Sequence, residues 1–521
     1  MRRLEKRLRT LAPDMLRGLR RGIEKEGLRA TPDGTLAATP HPAGLGSPLT
    51  HPHITTDFSE SQLELITGVQ GEVDACRDEL TGIHQVVYRN IGDEALWCMS
   101  MPCTLPADDE IPLARYGSSN VASAKTIYRR GLSYRYGRRM QTISGIHYNF
   151  SLPEAAWPML QQADEQGGPA RGFRDDAYCS LIRNFRRHSW LLLYLFGASP
   201  AVCASFVAGR AHVLQELKPG TMYLPHSTSL RMGPLGYQSD AQASLAVSYN
   251  CLESYARSLY AALTEPYPTY AAIGINDGAD YRQLSTTLLQ IENEFYGTIR
   301  PKRRIRPGER PLHALSERGV EYVEVRCMDL DPFCAIGIQA DTMRFLDVFL
   351  LHCLLTESPP DTPAEIAANS RNQHRVAQRG REPNLRLDRR GAEVTLAAWS
   401  EELLRECVPV AAALDGAYRT SAYRDVLAAA NAAIADSSAT PSARVLREMA
   451  QSHERSHLRF GLAQSLRHRS HLRDLPWTAA ADARYARLAE ESRVAQRQIE
   501  AADTVPFETY RRQYLALDLL S

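Results

Sequence analysis

The chain has 521 residues, 44% of them hydrophobic, and a formal net charge of +1. That is long enough for a large core, apolar enough for an ordinary globular protein, and too close to neutral for a strongly basic nucleic-acid binder. Of 61 basic residues only Lys6, Lys25, Lys125, Lys218 and Lys302 are lysine. We read that bias as genome composition, since Arg and Lys interchange only at loosely constrained surface positions.

From the N-terminus, Met1-Arg-Arg-Leu-Glu-Lys-Arg-Leu8 is basic but has no apolar run, so it is not read as a secretory leader. Leu4, Leu8 and Leu11 predict a short amphipathic helix. Four later stretches share one pattern: Glu24-Lys25-Glu26, Gln62-Leu-Glu64-Leu-Ile66, Gly145-Ile-His147-Tyr-Asn149-Phe150 and Glu321-Tyr-Val-Glu324-Val-Arg326. Strand side chains alternate faces with period two, so each predicts a strand with one polar and one apolar face. Residues 288–296 read as a further strand and 221–225 as a short one. Helices are predicted over 73–90, 175–196, 241–263, 442–469 and 479–501. The stretch 190–209 has the length of a bilayer span. Gly197-Ala-Ser-Pro200 interrupts it, so it predicts a buried helix ending near Phe196, a turn and a second buried element.

From about Asp341 the pattern is almost wholly helical, with Phe345, Val348, Phe349 and Cys353 marking one apolar stripe. Candidate linkers lie at 357–363 and 380–383. The ten cysteines include no C-x-x-C pair, and Cys203, Cys251 and Cys353 sit in apolar context. A reducing cytoplasm is expected. The expected fold class is α+β: a mainly antiparallel sheet with helices around it over 1–340, then a helical region over 341–521. No phosphate-binding glycine loop of the G-x-x-x-x-G-K-[ST] or G-x-G-x-x-G kind is present, so any nucleotide binds by other means.

The chemistry lies in the four polar faces. Brought into one sheet, they make a wall of carboxylates with one imidazole and one guanidinium. Such a wall is costly unless a cation binds it, and its oxygen-rich chemistry suits Mg²⁺ carrying a nucleotide. His51, His53, Asp57 and Glu64 also allow a zinc reading, but their spacing fits no standard zinc module. Asp57 and Glu64 read better as ligands for a hard cation. Taken singly, His147 could be a core histidine and Glu324 with Arg326 a structural ion pair; the shared geometry of the segments favours a site.

Several longer motifs resemble the proteobacterial glutamate–cysteine ligase family, a relative of the glutamine synthetase fold. They are Arg21-Gly-Ile-Glu-Lys-Glu-Gly-Leu-Arg29, Ile54-Thr-Thr-Asp-Phe58, Gln141-Thr-Ile-Ser-Gly-Ile-His-Tyr-Asn-Phe-Ser-Leu152, Tyr194-Leu-Phe-Gly-Ala-Ser-Pro-Ala201, Gln290-Ile-Glu-Asn-Glu294, Ile299-Arg-Pro-Lys-Arg303 and the Glu-Val-Arg of 324–326. The resemblance implies a curved antiparallel catalytic sheet and ATP-dependent ligation of L-glutamate to L-cysteine through a γ-glutamyl phosphate. It implies metal ligands at Glu24, Glu26, Asp57, Glu64, His147 and Glu324, for Mg²⁺ or alternatively Mn²⁺. Arg326 and Glu324 are the implied catalytic pair, with Arg326 beside the transferred phosphoryl group. Tyr128, Arg231, Tyr237 and Tyr296 are implied to line the cysteine pocket. The expected partners are L-glutamate, L-cysteine and ATP, with glutathione as an inhibitor and neither nucleic acid nor membrane. Two alternatives stay open at this point: a related glutamate–amine ligase, and a non-catalytic nucleotide-binding protein.

Overall fold

The structure is a computed structural model, and it describes residues 2–236, 240–243, 245, 247–278, 280–306 and 308–516. Seven strands form its central sheet: β1 (Arg20–Ala30), β2 (Ile54–Thr56), β3 (Gln62–Ile66), β4 (Ala95–Leu96), β5 (Ile146–Ser151), β6 (Ile299–Lys302) and β7 (Tyr322–Met328). The order across the sheet is β6-β7-β5-β1-β3-β2, and β4 pairs with the far end of β1. Every pairing is antiparallel.

The four strands with polar faces, β7, β5, β1 and β3, are therefore contiguous. The register sets Glu24 against His147, Glu26 against Glu64, and Glu324 against Asn149. Directly opposed residues share a face, so all of these point to one side. The other side carries Ile23, Leu63, Leu65, Ile146, Tyr148, Phe150, Val323 and Val325, all buried in the main core. Polar residues of β1 share that side: Arg21 meets Asp347, and burial pulls the Lys25 pKa down to about 8.

Helices Val73–Asn90, Ala170–His188 and Ala340–Leu355 supply core side chains behind the sheet. Helix Ala340–Leu355 is tied to it by polar contacts as well. Asp347, fully buried, accepts from Arg21 Nη2 at 2.9 Å and from the Tyr148 hydroxyl at 2.7 Å. The helix Asn120–Tyr136, which carries Tyr128, starts at an N-cap where Ser119 accepts from Ala122 N. It is braced from the far end of the chain: Asp503 accepts from Asn120 N at 2.5 Å, and the Asn120 amide donates to the Val505 carbonyl.

Several predicted elements break where local chemistry ends them. The 175–196 helix is two, Ala170–His188 and Trp190–Phe196, and the element after the latter is the short strand Ala201–Cys203. The 442–469 helix is also two, Pro441–Ser452 and His457–Asp474. Between them Glu454 and Arg455 take left-handed φ values of 50° and 59°. Ser456 then caps the second helix, accepting from Arg459 N. The 241–263 helix is reduced to Asp240–Ala243 and Leu252–Thr264. The 288–296 strand is absent; a single 3-10 turn, Glu292–Glu294, stands there. The alternation of Gln290, Glu292 and Glu294 has another cause. All three are buried, and the two acids are satisfied by Arg135, Tyr136 and Arg310 rather than by a sheet face. Among the described residues no helix is long and apolar enough to cross a membrane.

Candidate active site

The polar side of β1, β3, β5 and β7 forms the floor of the site. His147 stands at its centre. Its Nδ1 is 3.2 Å from Glu24 and 3.8 Å from Glu324, and its Nε2 is 3.5 Å from Glu26. Glu24 also accepts from the Asn149 amide at 2.9 Å, and Glu26 accepts from Gly145 N at 2.7 Å. Glu24, Glu64 and His147 each offer a ligand atom within 4.8 Å of the others. Asp57 lies just past β2, close enough for its charge to act on Glu26 and Glu64.

The electrostatics divide this floor. Burial and the neighbouring charges of Glu24, Asp57 and Glu26 push Glu64 well above the usual carboxylate range. Burial also raises Glu26. Burial opposes ionisation of Glu324 too, but Lys302 and Arg326 outweigh it and hold that carboxyl well below the usual range. Glu24 also sits low: burial and Glu324 push it up, and the His147 hydrogen bond with the Lys302 charge overcomes them.

Glu324 is the seam between acids and cations. It is 1% exposed, with Lys302 Nζ at 3.1 Å and Arg326 Nη1 at 3.2 Å. Neither of its oxygens has a well-formed hydrogen bond. A buried carboxylate in that state is ready for one further ligand. The donor set of five carboxylates, Asp57 included, and one imidazole fits a hard divalent cation.

Beside this floor opens a cavity of about 490 Å³, whose lining includes Arg231, Gln242, Phe295, Tyr296 and Arg326. Arg231, on the 3-10 turn Leu230–Met232, is fully buried and reaches toward β7. Its Nη2 donates to the Arg326 carbonyl at 2.8 Å, and its Nη1 lies 3.9 Å from Asp329. Gly145 permits this approach, because a Cβ there would stand 2.1 Å from the Arg231 guanidinium. Tyr296 is held at both ends: Gln141 Nε2 donates to its hydroxyl at 2.8 Å, and its own N–H donates to Gln242. Tyr128 is partly buried, and burial together with the Glu294 charge pushes its phenol far above 10. Tyr237 lies outside the described residues.

The structure thus gathers Glu24, Glu26, Glu64, His147, Glu324 and Arg326 on one face, with Asp57 at its margin and Arg231 and Tyr296 in the adjoining wall. Sequence reasoning did not single out Lys302, Gln141 or Gln242. Lys302 follows the period-two pattern of Ile299-Arg-Pro-Lys302, which could have found it. Nor did it foresee that helix Pro363–Arg379, in the helical region, lines the cavity through Ile366, Gln373 and His374.

Comparison with known proteins gives a consistent result. A family model described as glutamate-cysteine ligase matches residues 6–376. The glutamate–cysteine ligase of Alcanivorax borkumensis is 47% identical over 523 residues, covering 99% of each chain. That of Azotobacter vinelandii is 49% identical over 505 residues, covering 96% of this chain and 95% of its own. Among solved structures, a Francisella tularensis glutamate–cysteine ligase in complex with AMP superposes with a TM-score of 0.90. It is 36% identical, with 96% of this chain and 97% of that one covered. A bifunctional glutathione synthetase from Pasteurella multocida superposes at 0.73, with 26% identity over 92% of this chain and 57% of that one.

Proposed function

The chain belongs to the glutamate–cysteine ligase family, and from that premise we propose how its site performs ATP-dependent ligation of L-glutamate to L-cysteine, the first step of glutathione biosynthesis. The observation that carries the proposal is the meeting of a carboxylate floor with a cationic edge at Glu324. Glu24, Glu26, Asp57, Glu64, His147 and Glu324 would hold Mg²⁺. When bound there, the ion neutralises charge on the nucleotide phosphates.

The γ-carboxylate of glutamate attacks the terminal phosphorus of ATP, breaking its bond to the bridging oxygen so that ADP leaves and an acyl phosphate forms; the deprotonated amine of cysteine then attacks the acyl carbon and expels phosphate. Two steps are needed because an ionised carboxylate has no leaving group. Arg326 projects from β7 beside Glu324, and its planar fork suits charge spread over phosphoryl oxygens. Glu324 fixes the orientation of that fork through the 3.2 Å contact. Arg231, braced by Asp329 and the β7 backbone, presents a buried cation to a substrate carboxylate. Tyr296 walls the pocket against water, and Gln141 and Gln242 hold it in place. Burial of the floor strengthens each of these interactions at the reacting centre.

Isotope transfer tests the route. Glutamate labelled with ¹⁸O in its γ-carboxylate should pass one labelled oxygen to the released phosphate, and Arg326→Ala should slow that transfer. Unlabelled phosphate from an active enzyme would exclude the acyl phosphate. The reading extends to a cytoplasmic enzyme, on the apolar setting of its cysteines, and to inhibition by glutathione.

A further inference from the structure

The cationic edge of the sheet contains a residue that the ligand set and the substrate pocket leave unassigned. Arg300 lies on β6 directly opposite Glu324 of β7. Directly opposed residues share a face, so its side chain belongs to the polar side of the sheet. Arg326 is its diagonal neighbour, since Arg326 N donates to the carbonyl of Thr298, just before β6 and two residues ahead of Arg300. Diagonal positions in such a ladder lie about 7–8 Å apart, within reach of two long side chains converging on one small group.

Arg300 is buried, with 6% exposure, yet it is scarcely paired. Its Nη2 donates to the Asn293 carbonyl at 3.1 Å. Its Nε is buried and has no hydrogen-bond partner. Among the described residues no carboxylate comes within the 4.0 Å of an ion pair; at that range Glu324 meets Lys302, Arg326 and His147 instead. The Phe295 ring lies 5.9 Å from its guanidinium carbon. A guanidinium has five N–H donors and stays charged. Burying one beside a second guanidinium is unfavourable unless further hydrogen bonds or an anion satisfy it. By contrast, the protein's other fully buried arginines on this sheet have acids: Arg21 has Asp347 and Arg29 has Glu94. Arg300 is therefore a buried cation that shares its one facing acid, Glu324, with Lys302 and Arg326, next to the place where the reaction brings anions.

We propose that Arg300 is a substrate-binding residue that, together with Arg326, clasps one oxyanion of a substrate. The chemistry shared by the possible occupants is a small group with two or three coplanar or tetrahedral oxygens, either a nucleotide phosphate or an amino-acid carboxylate. This inference rests on the polar face being the reaction site.

The test is steady-state kinetics of Arg300→Gln and Arg300→Lys, with ATP, glutamate and cysteine each varied in turn, beside thermal unfolding. A lost charge-assisted hydrogen bond raises the matching KM by about ten- to a hundredfold. A selective rise for ATP assigns the phosphate; a selective rise for glutamate or cysteine assigns that carboxylate. Arg300→Lys should recover part of the loss, since it keeps the charge and loses the fork. Both variants should melt within a few degrees of the parent. Three KM values moving together, or none moving, overturns the proposal, as does a collapse of melting temperature in both variants. Arg326→Ala and Glu24→Gln run in parallel separate the two levels. If they abolish turnover while the Arg300 variants leave every KM alone, the site stands and Arg300 is structural. If they too leave turnover intact, the site itself is misplaced.

Discussion

Glu64→Gln should make the metal-free protein more stable while destroying its metal-dependent turnover. Glu64 faces Glu26 across the β1–β3 ladder. Opposed Cβ atoms in such a ladder lie ~5 Å apart. Two unit charges at that distance, in an effective dielectric of about 20, repel by roughly 3 kcal/mol. Arg129 offsets part of this by lowering the Glu64 pKa, and the amide keeps the shape of the side chain. A gain of about 1–3 kcal/mol is therefore expected at pH 8 in EDTA. The sign with pH follows from the raised folded-state value. The stability Glu64 contributes is fully present below its unfolded pKa and is lost as pH rises through the folded one. The advantage of Gln should thus shrink toward pH 5. Urea unfolding in EDTA at pH 5 and pH 8, repeated with Mg²⁺, measures it. Mg²⁺ should stabilise the parent and leave the variant nearly unmoved. A variant less stable than the parent at both pH values in EDTA would refute the repulsive floor and the cation site built on it.

Chelation with EDTA should abolish phosphate release and Mg²⁺ should restore it; restoration by Zn²⁺ but not by Mg²⁺ would overturn the hard-cation reading. Arg231→Ala should raise the KM for cysteine by about ten- to a hundredfold, the worth of a charge-assisted hydrogen bond, with little change for ATP; equal rises for both substrates would remove Arg231 from the pocket. Behind the sheet, Asp347→Leu strands the buried Arg21 guanidinium and should cost about 3–5 kcal/mol in urea unfolding. Adding Arg21→Met should recover most of that loss, and a double variant as unstable as the single one would show that the pair is not what joins helix Ala340–Leu355 to β1.

The acid floor was legible because strand geometry is local. Glu24 and Glu26, His147 and Asn149, and Glu324 and Arg326 each sit two apart, and period two alone fixes that they share a face. Their coming together was not local. It depends on β7, β5, β1 and β3, far apart along the chain, pairing in one sheet, and the shared ligand chemistry of the segments was the sequence's only hint of it. Residues 288–296 show the converse. Period-two polarity there arose from acids buried against Arg135 and Arg310, an environment that sequence alone does not distinguish from a half-wet strand. Arg300 escaped notice because Ile299-Arg-Pro-Lys302 is four residues long and contains a proline, which is tolerable only at a sheet edge such as β6. The lining contributed by Pro363–Arg379 was invisible for another reason: an amphipathic helix does not say which element its inner face meets.

The floor's uneven charge explains why this sheet tolerates so many acids. Were all its carboxylates equivalent, none would have a counter-ion, and the least costly response would be to bind protons throughout. Instead the cations Lys302 and Arg326 stand only at the β6–β7 edge, and His147 stands between Glu24 and Glu324. The carboxyls next to them are held low, while Glu26 and Glu64, facing each other, are pushed up. The low half is ionised before any ligand arrives and can draw in a cation. A cation at the floor competes with protons for the raised carboxyls, so affinity for the metal should increase with pH. Lys25, on the opposite side of β1 between Glu24 and Glu26, adds a positive charge beneath the floor without occupying it. A uniformly acidic face would bind a cation more strongly on paper, but it would also repel the phosphates and carboxylates that must follow. Placing the acids and the cations on neighbouring strands of one sheet lets each kind of group be held within reach of the other.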